Sequence, residues 1–102
     1  MSVLIAVRIA GDTDKFRSFV ADEGNADRMK SIADAGREQG AIHHRFAVGD
    51  GFVLVVDDWE SPQQFQQFFE GNEEIEAVIR DSGGQGPPDV TVAEAVDSPD
   101  QF

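Results

Sequence analysis

Two alternating segments joined by a glycine-rich turn constrain the fold of this chain more than any other feature. Residues 41–48 (AIHHRFAV) and 52–59 (FVLVVDDW) have the length, the β-branched or aromatic content and the period of two that are typical of strands. Gly49 and Gly51 are expected to supply the positive φ angles that a short connection between antiparallel strands needs. The whole segment is therefore predicted to form a β-hairpin.

On the N-terminal side of the hairpin, the pattern predicts a strand followed by a long helical region. Residues 3–9 alternate as a strand that is apolar on one face and mostly apolar on the other. Asp12 or Thr13 is a suitable N-cap, and we expect a break at Gly24 and an end at Gly40. The apolar residues at helical spacing between them are Phe16, Phe19, Val20, Ala26, Met29, Ile32 and Ala33.

On the C-terminal side, Ser61-Pro62 is a strong helix start, with serine as the N-cap and proline at the first helical position. Gly71-Asn72 interrupts this helix, and an acidic segment starts a second one. Residues 82–88 (SGGQGPP) are predicted to be a connecting loop rather than a phosphate-binding loop, and residues 89–96 a last strand.

The predicted order is strand, helix, strand, strand, helix, strand, with the second helix split. This is the order of the α+β ferredoxin-like βαββαβ unit, in which a four-stranded antiparallel sheet carries helices on one face. We expect residues 1–96 to form this single domain and residues 97–102 to form a C-terminal tail. The other sheet face would carry Leu4 and Ala6, so we expect a homodimer that buries it.

Composition narrows the possible partners of the chain. Its 102 residues include 20 acidic and 8 basic side chains, for a net charge of −12, which disfavours binding to nucleic acid or to an anionic membrane. The lack of cysteine excludes disulfides, thiolate nucleophiles and sulfur-ligated metals. The apolar N-terminal run is far shorter than a membrane span and no basic segment precedes it, so we expect a cytoplasmic protein.

Four features of the chain together carry a resemblance to a known family. They are the element order, Gly40 before the hairpin, Asp57-x-Trp59 at the end of the third strand, and the Ser61-Pro62 helix start. In these the chain resembles the antibiotic biosynthesis monooxygenase-like family of the dimeric α/β-barrel superfamily, over about residues 2–96. The resemblance implies a dimeric α/β barrel and a small-molecule pocket.

The same resemblance points to individual residues. Trp59 matches an acidic-x-Trp pattern of that family and is implied to line the pocket, whereas Asp57 stands where glutamate is more usual. The family tends to place a histidine in the next helix, at positions that Phe68 and Phe69 hold here, and the first strand contains no asparagine. Histidine-ligated heme is therefore not implied, and we expect no cofactor.

The paired histidines are the candidate catalytic residues. His43 and His44 are adjacent in a strand, so they point to opposite faces of the sheet and do not chelate one metal together. One interpretation makes His44 a hydrogen-bonded core residue and His43 a barrel-facing or interface residue, and the other makes one of them a general base. We expect His44 to share a face with Ile42, Phe46 and Val48, and His43 to share one with Ala41, Arg45 and Ala47.

Arg8, Arg45 and three phenylalanines complete the candidate site. The two arginines interrupt apolar strands and either form ion pairs with Asp57, Asp58 or Glu94, or orient an anionic substrate. The aromatic residues of the helix that follows the hairpin either belong to the core or, with Trp59, form an apolar pocket. These phenylalanines are Phe65, Phe68 and Phe69.

Two functions are consistent with these residues. The first is a cofactor-independent monooxygenase that acts on an electron-rich aromatic or polyketide-like substrate, with a histidine that removes a phenolic proton. The second is a non-catalytic module that binds a small apolar ligand or serves as an interaction domain.

Overall fold

The computed structural model describes residues 2–102, which form four strands and four helices. In chain order they are β1 (Val3–Ala10), α1 (Thr13–Ala21), α2 (Glu23–Gln39), β2 (Ala41–Gly49), β3 (Phe52–Trp59), α3 (Pro62–Phe69), α4 (Glu73–Asp81) and β4 (Asp89–Glu94). The strands form one antiparallel sheet in the order β2-β3-β1-β4. The predicted ferredoxin-like α+β fold with a four-stranded antiparallel sheet is therefore confirmed.

The strand register divides the sheet into a covered face, against the helices, and an open face. Ile5 pairs with Asp57 and with Val92, and these three residues belong to the covered face. Leu4 pairs with Asp58 on the open face. The buried core lies between the covered face and α3, and it consists of Val3, Ile5, Val7, Ile9, Trp59 and Phe65.

Side-chain caps determine where the helices begin. Asp12, Asp22, Ser61 and Asn72 each have extended backbone angles and accept hydrogen bonds from amides of the first helical turn. The predicted break at Gly24 is wrong by two residues, because the Asp22 carboxylate accepts from the Asn25 amide and starts α2 before the glycine. Four side chains thus supply the start signals of all four helices in residues 2–102.

The hairpin contains two local features that its alternation does not show. The register skips Ile42, because Ala41 pairs with Trp59 while His43 pairs with Asp58. Ala41 therefore packs against the core instead of sharing the face of His43, which corrects the predicted rows at this end of the strand.

The turn of the hairpin also differs in one respect. Gly51 has a φ of +80°, as predicted, whereas Gly49 has no positive φ and is part of β2. A Cβ atom at Gly49 would collide with the ring of Phe52, so this glycine serves close packing rather than turn geometry.

Arg28 ties three helices together on the outer surface. Its guanidinium donates to Asn25 Oδ1 at 3.1 Å and to Asp81 Oδ2 at 3.0 Å, and it lies 5.5 Å from the centroid of the Phe19 ring. The hydrogen bond from Arg28 holds the pKa of Asp81 below its ordinary value. The helical layer is thus linked from α1 through α2 to α4.

The open face and the end of the chain are the least covered parts of the molecule. Leu4 and Val56 are 48% and 44% exposed on the open face. Residues 97–102 lie beyond the sheet and are exposed. Within residues 2–102, none of the helices has the length and apolar character needed to cross a membrane.

Candidate functional site

A cavity of about 390 Å³ lies between the helices and the covered face of the sheet. Helices α2 and α4 roof it with apolar side chains that are only partly buried, because the space beneath them is not filled by the sheet. These roof residues are Met29, Ile32, Ala33, Ile75, Val78 and Ile79. A volume of this size is within the range of small-molecule sites in proteins.

Aromatic side chains form one end of the cavity. Trp59 is only 1% exposed, and its ring lies 5.6 Å from the Phe65 ring and 5.4 Å from the Phe68 ring, measured between centroids. Phe65 and Phe69 are stacked with centroids 5.2 Å apart. Gly36 allows α2 to approach this cluster, since a Cβ atom there would lie 3.3 Å from Phe68 Cζ. The cluster therefore offers a flat, apolar wall to a ligand.

A buried carboxylate joins a histidine to the tryptophan at the border of the cavity. Asp57 Oδ1 lies 2.7 Å from His44 Nδ1, and Asp57 Oδ2 accepts a hydrogen bond from Trp59 Nε1 at 3.1 Å. The Asp57 side chain is 11% exposed, whereas that of His44 is 41% exposed. The carboxylate is thus fixed by two donors, while the imidazole remains accessible to a molecule in the cavity.

This arrangement determines what His44 can do chemically. When Asp57 is ionised, its Oδ1 accepts a hydrogen bond from His44 Nδ1–H, so Nε2 of the neutral ring is the unprotonated nitrogen. An edge-on contact with Phe46, at 4.8 Å between ring centroids, further restricts the orientation of the imidazole. A histidine held by a carboxylate in this way is suited to accept a proton and to be stabilised once it carries the charge.

The structure separates the other predicted polar residues from this group. His43, Arg8 and Arg45 belong to the open face, since they pair with Asp58, Leu54 and Val56 respectively. His43 borders both the cavity and a shallow open-face depression, of which Arg45 is also part. Neither arginine forms an ion pair within residues 2–102, contrary to one of the two interpretations, and Arg8 instead stacks 3.9 Å from the centroid of the Phe52 ring.

Of the predicted site residues, His44, Trp59, Phe65, Phe68 and Phe69 thus meet at the cavity, His43 also borders it although its strand position is on the open face, and the two arginines do not border it. The role of Asp57 as the partner of His44 was not predicted from the sequence. A signal for it existed, because Asp57 interrupts the apolar row formed by Val53, Val55 and Trp59. A carboxylate in such a row requires a donor beside it, and the neighbouring strand offers His44. Within residues 2–102, no three His, Asp or Glu side chains are grouped to hold a metal ion.

Solved structures share this architecture over nearly the whole chain. The monooxygenase ActVA-Orf6 of Streptomyces coelicolor, solved with nanaomycin D, matches with a TM-score of 0.69 and 17% identity, over 95% of this chain and 89% of that one. SnoaB, a cofactor-independent oxygenase of Streptomyces nogalater, matches with a TM-score of 0.63 and 13% identity over 98% of both chains. The chain has the fold of the antibiotic biosynthesis monooxygenases.

A protein of Bordetella bronchiseptica, provisionally assigned to the antibiotic biosynthesis monooxygenases, shows the same similarity. Its TM-score is 0.66 at 12% identity, over 93% of this chain and 97% of that one. No protein-family profile and no curated protein sequence matches the chain. The similarity thus lies in the antibiotic biosynthesis monooxygenase fold and not in overall sequence.

Proposed function

We propose that this protein is a cofactor-independent oxygenase that acts on a hydroxylated polycyclic aromatic, with His44 as the general base. The observation that carries this proposal is the 2.7 Å contact between His44 Nδ1 and the buried Asp57 carboxylate, at the border of an apolar cavity. The similarity in fold to the cofactor-independent oxygenase SnoaB and to the monooxygenase ActVA-Orf6, which was solved with nanaomycin D, supports the same conclusion.

The chemistry requires little more from the protein than deprotonation, orientation and exclusion of water. His44 Nε2 takes the proton of a phenolic hydroxyl, and the resulting anion gives an electron to O₂. The two radicals combine into a peroxide at the ring carbon that is the CH₂ carbon of the keto tautomer, and the imidazolium of His44 returns its proton to that peroxide. Loss of water then leaves a carbonyl there, so that one O₂ converts CH₂ into C=O and H₂O. Asp57 stabilises the imidazolium that His44 becomes.

Oxygen consumption with hydroxylated anthrones and naphthols tests this proposal. We expect O₂ uptake and quinone absorbance with the wild-type protein, and a decrease of about 10²–10⁴-fold in kcat for His44→Gln. His43→Gln is the matched comparison, because it makes the same change one residue away on the open face, and it is expected to retain activity. Loss of activity in His43→Gln alone would move the base to His43.

Absence of uptake would favour the non-catalytic alternative. Trp59 is the one tryptophan of the chain, so its fluorescence reports directly on the aromatic wall of the cavity. Quenching by apolar ligands without any turnover, or uptake no faster than that of a His43→Ala/His44→Ala/Trp59→Ala variant, would contradict the oxygenase proposal and indicate a ligand-binding module.

We also propose that the protein is a homodimer joined through its open sheet face. Leu4 and Val56 are about half exposed there, Ala6 lies directly opposite Val56, and Leu54 is the next residue of the β3 open-face row, opposite Arg8. Such a contiguous apolar surface is typical of an interface. A second copy is the occupant that the fold favours, because the same face on both subunits is self-complementary about a two-fold axis.

A further inference from the structure

One cation borders the cavity, and it stands at the end of an otherwise apolar helix row. Residues Met29, Ala33 and Arg37 follow one another at intervals of four in α2 and therefore lie along one side of that helix. All three border the cavity, and Arg37 is its only lysine or arginine within residues 2–102. The row of α2 residues that borders the cavity thus begins with two apolar side chains and ends with the guanidinium of Arg37.

The guanidinium of Arg37 is not engaged by a strong partner. Within residues 2–102 it forms one ion pair, in which Arg37 Nη1 lies 3.9 Å from Asp34 Oδ1. The Arg37 side chain is 77% exposed and the Asp34 side chain 75% exposed. Exposed pairs of this kind contribute little to stability. Arg37 therefore keeps most of its hydrogen-bonding capacity for a molecule that enters the cavity.

Two carboxylates of the described part of the chain border the cavity, and neither competes for Arg37. Asp12 lies at the end away from Arg37, and Asp57 already has two hydrogen-bond donors. Asp12 follows the end of β1 that pairs with Phe52, and it caps α1. Arg37 precedes the start of β2, where Ala41 pairs with Trp59 at the opposite end of the sheet. Asp57 is held by His44 and Trp59. Asp12 and Arg37 thus lie at opposite ends of the cavity.

This polarity orients a ligand with one negative group. A carboxylate at Arg37 places the rest of an aromatic ligand along the α2 roof, toward His44, which is two strand positions from the Trp59 end of the sheet. The planar guanidinium matches a carboxylate with two parallel hydrogen bonds. A doubly charged phosphate is disfavoured, because the net charge of −12 repels it more strongly than it repels a single charge.

We propose that Arg37 selects aromatic carboxylic acids, so that the substrate of this cavity is a hydroxylated polycyclic aromatic acid with its carboxylate at the α2 end. The assignment of a substrate rests on the oxygenase proposed above, but the preference for the acid is a property of binding alone. It is therefore testable with compounds that cannot react.

The test compares anthraquinone-2-carboxylate with anthraquinone-2-carboxamide, which have the same fully oxidised rings and differ in charge. Trp59 fluorescence quenching gives the Kd of each. We expect the acid to bind about tenfold more tightly than the amide, and Arg37→Gln to remove most of that ratio without changing the Kd of the amide. Raising the ionic strength reduces the ratio in the wild-type protein only.

Arg17→Gln is the matched control, because it removes the same charge from an exposed position in α1 that does not border the cavity. It is expected to keep the preference for the acid. Equal binding of acid and amide, an unchanged ratio in Arg37→Gln, the same loss in Arg17→Gln, or no binding of either compound would each overturn the proposal. A normal preference without O₂ uptake on hydroxylated acids would leave it standing and contradict only the oxygenase function.

Discussion

At the scale of single residues, Asp57 is the most informative side chain of the molecule. Its neighbours on the same face of β3 are apolar, and only 9% of the residue is exposed. A buried carboxylate is costly unless each oxygen has a donor, and here His44 and Trp59 supply one each. The residue thus connects the folding of the hairpin to the chemistry of the cavity.

Asp57→Asn tests this role with almost no change in shape. The amide carbonyl accepts only one of the two hydrogen bonds, and an amide NH₂ toward His44 stabilises the ring with its proton on Nε2, where it is no longer a base. We expect kcat to fall by about 10²–10⁴-fold while the circular dichroism spectrum stays native. Nitrogen chemical shifts of His44 measure the tautomer directly.

Asp58→Asn is the matched control for that experiment. Asp58 is the next residue of β3 and pairs with His43 on the open face, so the same substitution there is expected to leave the His44 tautomer and its activity unchanged. An unchanged His44 tautomer in Asp57→Asn would show that the carboxylate does not orient the imidazole.

At the scale of elements, the sequence was sufficient wherever a local signal decides the structure. Ser61-Pro62, Gly40 and the alternation of β3 correctly predict a helix start, a helix end and a strand, because each acts through its own backbone or its own face. The bulge at Ile42 depends on pairing with β3, and the start of α2 depends on a choice between Asp22 and Gly24. Such features are decided by competing contacts that no local pattern contains.

The roof of the cavity could not be predicted for a related reason. The apolar rows of α2 and α4 have the same period whether they pack tightly on a sheet or leave a space above it. What distinguishes the two cases is the distance between the helices and the sheet, which depends on the packing of the whole domain. The aromatic wall was predictable from the phenylalanine spacing, whereas the roof residues Met29, Ala33 and Val78 were not.

Filling the space beneath α2 tests whether the cavity is a binding site. Ala33→Leu adds apolar volume to a roof residue that is only partly buried, so we expect a stability gain of about 0.5–2 kcal/mol, seen as a Tm higher by several degrees. The same change is expected to weaken quenching of Trp59 by aromatic ligands.

Ala35→Leu makes the identical substitution two residues away, at a position that does not border the cavity. It is expected to leave ligand binding intact. If Ala33→Leu lowers the Tm and binding is unaffected, the space beneath α2 is not the ligand site.

At the scale of the whole molecule, net charge and exposed apolar surface act against each other. A charge of −12 on 102 residues opposes association of two copies, whereas the half-exposed side chains of the open face favour it. The arginines of that face, Arg8 and Arg45, lower the local negative charge where two copies would meet. The site and the proposed interface therefore use opposite faces of the same sheet, with Asp57 facing one and Asp58 facing the other.

Val56→Arg tests the proposed interface without adding to the net negative charge that opposes association. The substitution makes each chain less negative, so any loss of association follows from the charged side chain in the apolar patch. We expect the dissociation constant of the dimer to rise at least about tenfold. Each subunit loses the apolar area that Val56 would bury, and the arginine that replaces it must give up water to enter the interface. Sedimentation equilibrium gives the constant, and the fluorescence of the buried Trp59 shows whether the fold is kept.

Val96→Arg is the matched control, because it changes the charge equally at a residue beyond β4 that is 79% exposed. It is expected to dimerise like the wild type. A wild-type protein that sediments with the mass of one chain at micromolar concentration would contradict the dimer, and an unaffected Val56→Arg variant would place the interface elsewhere.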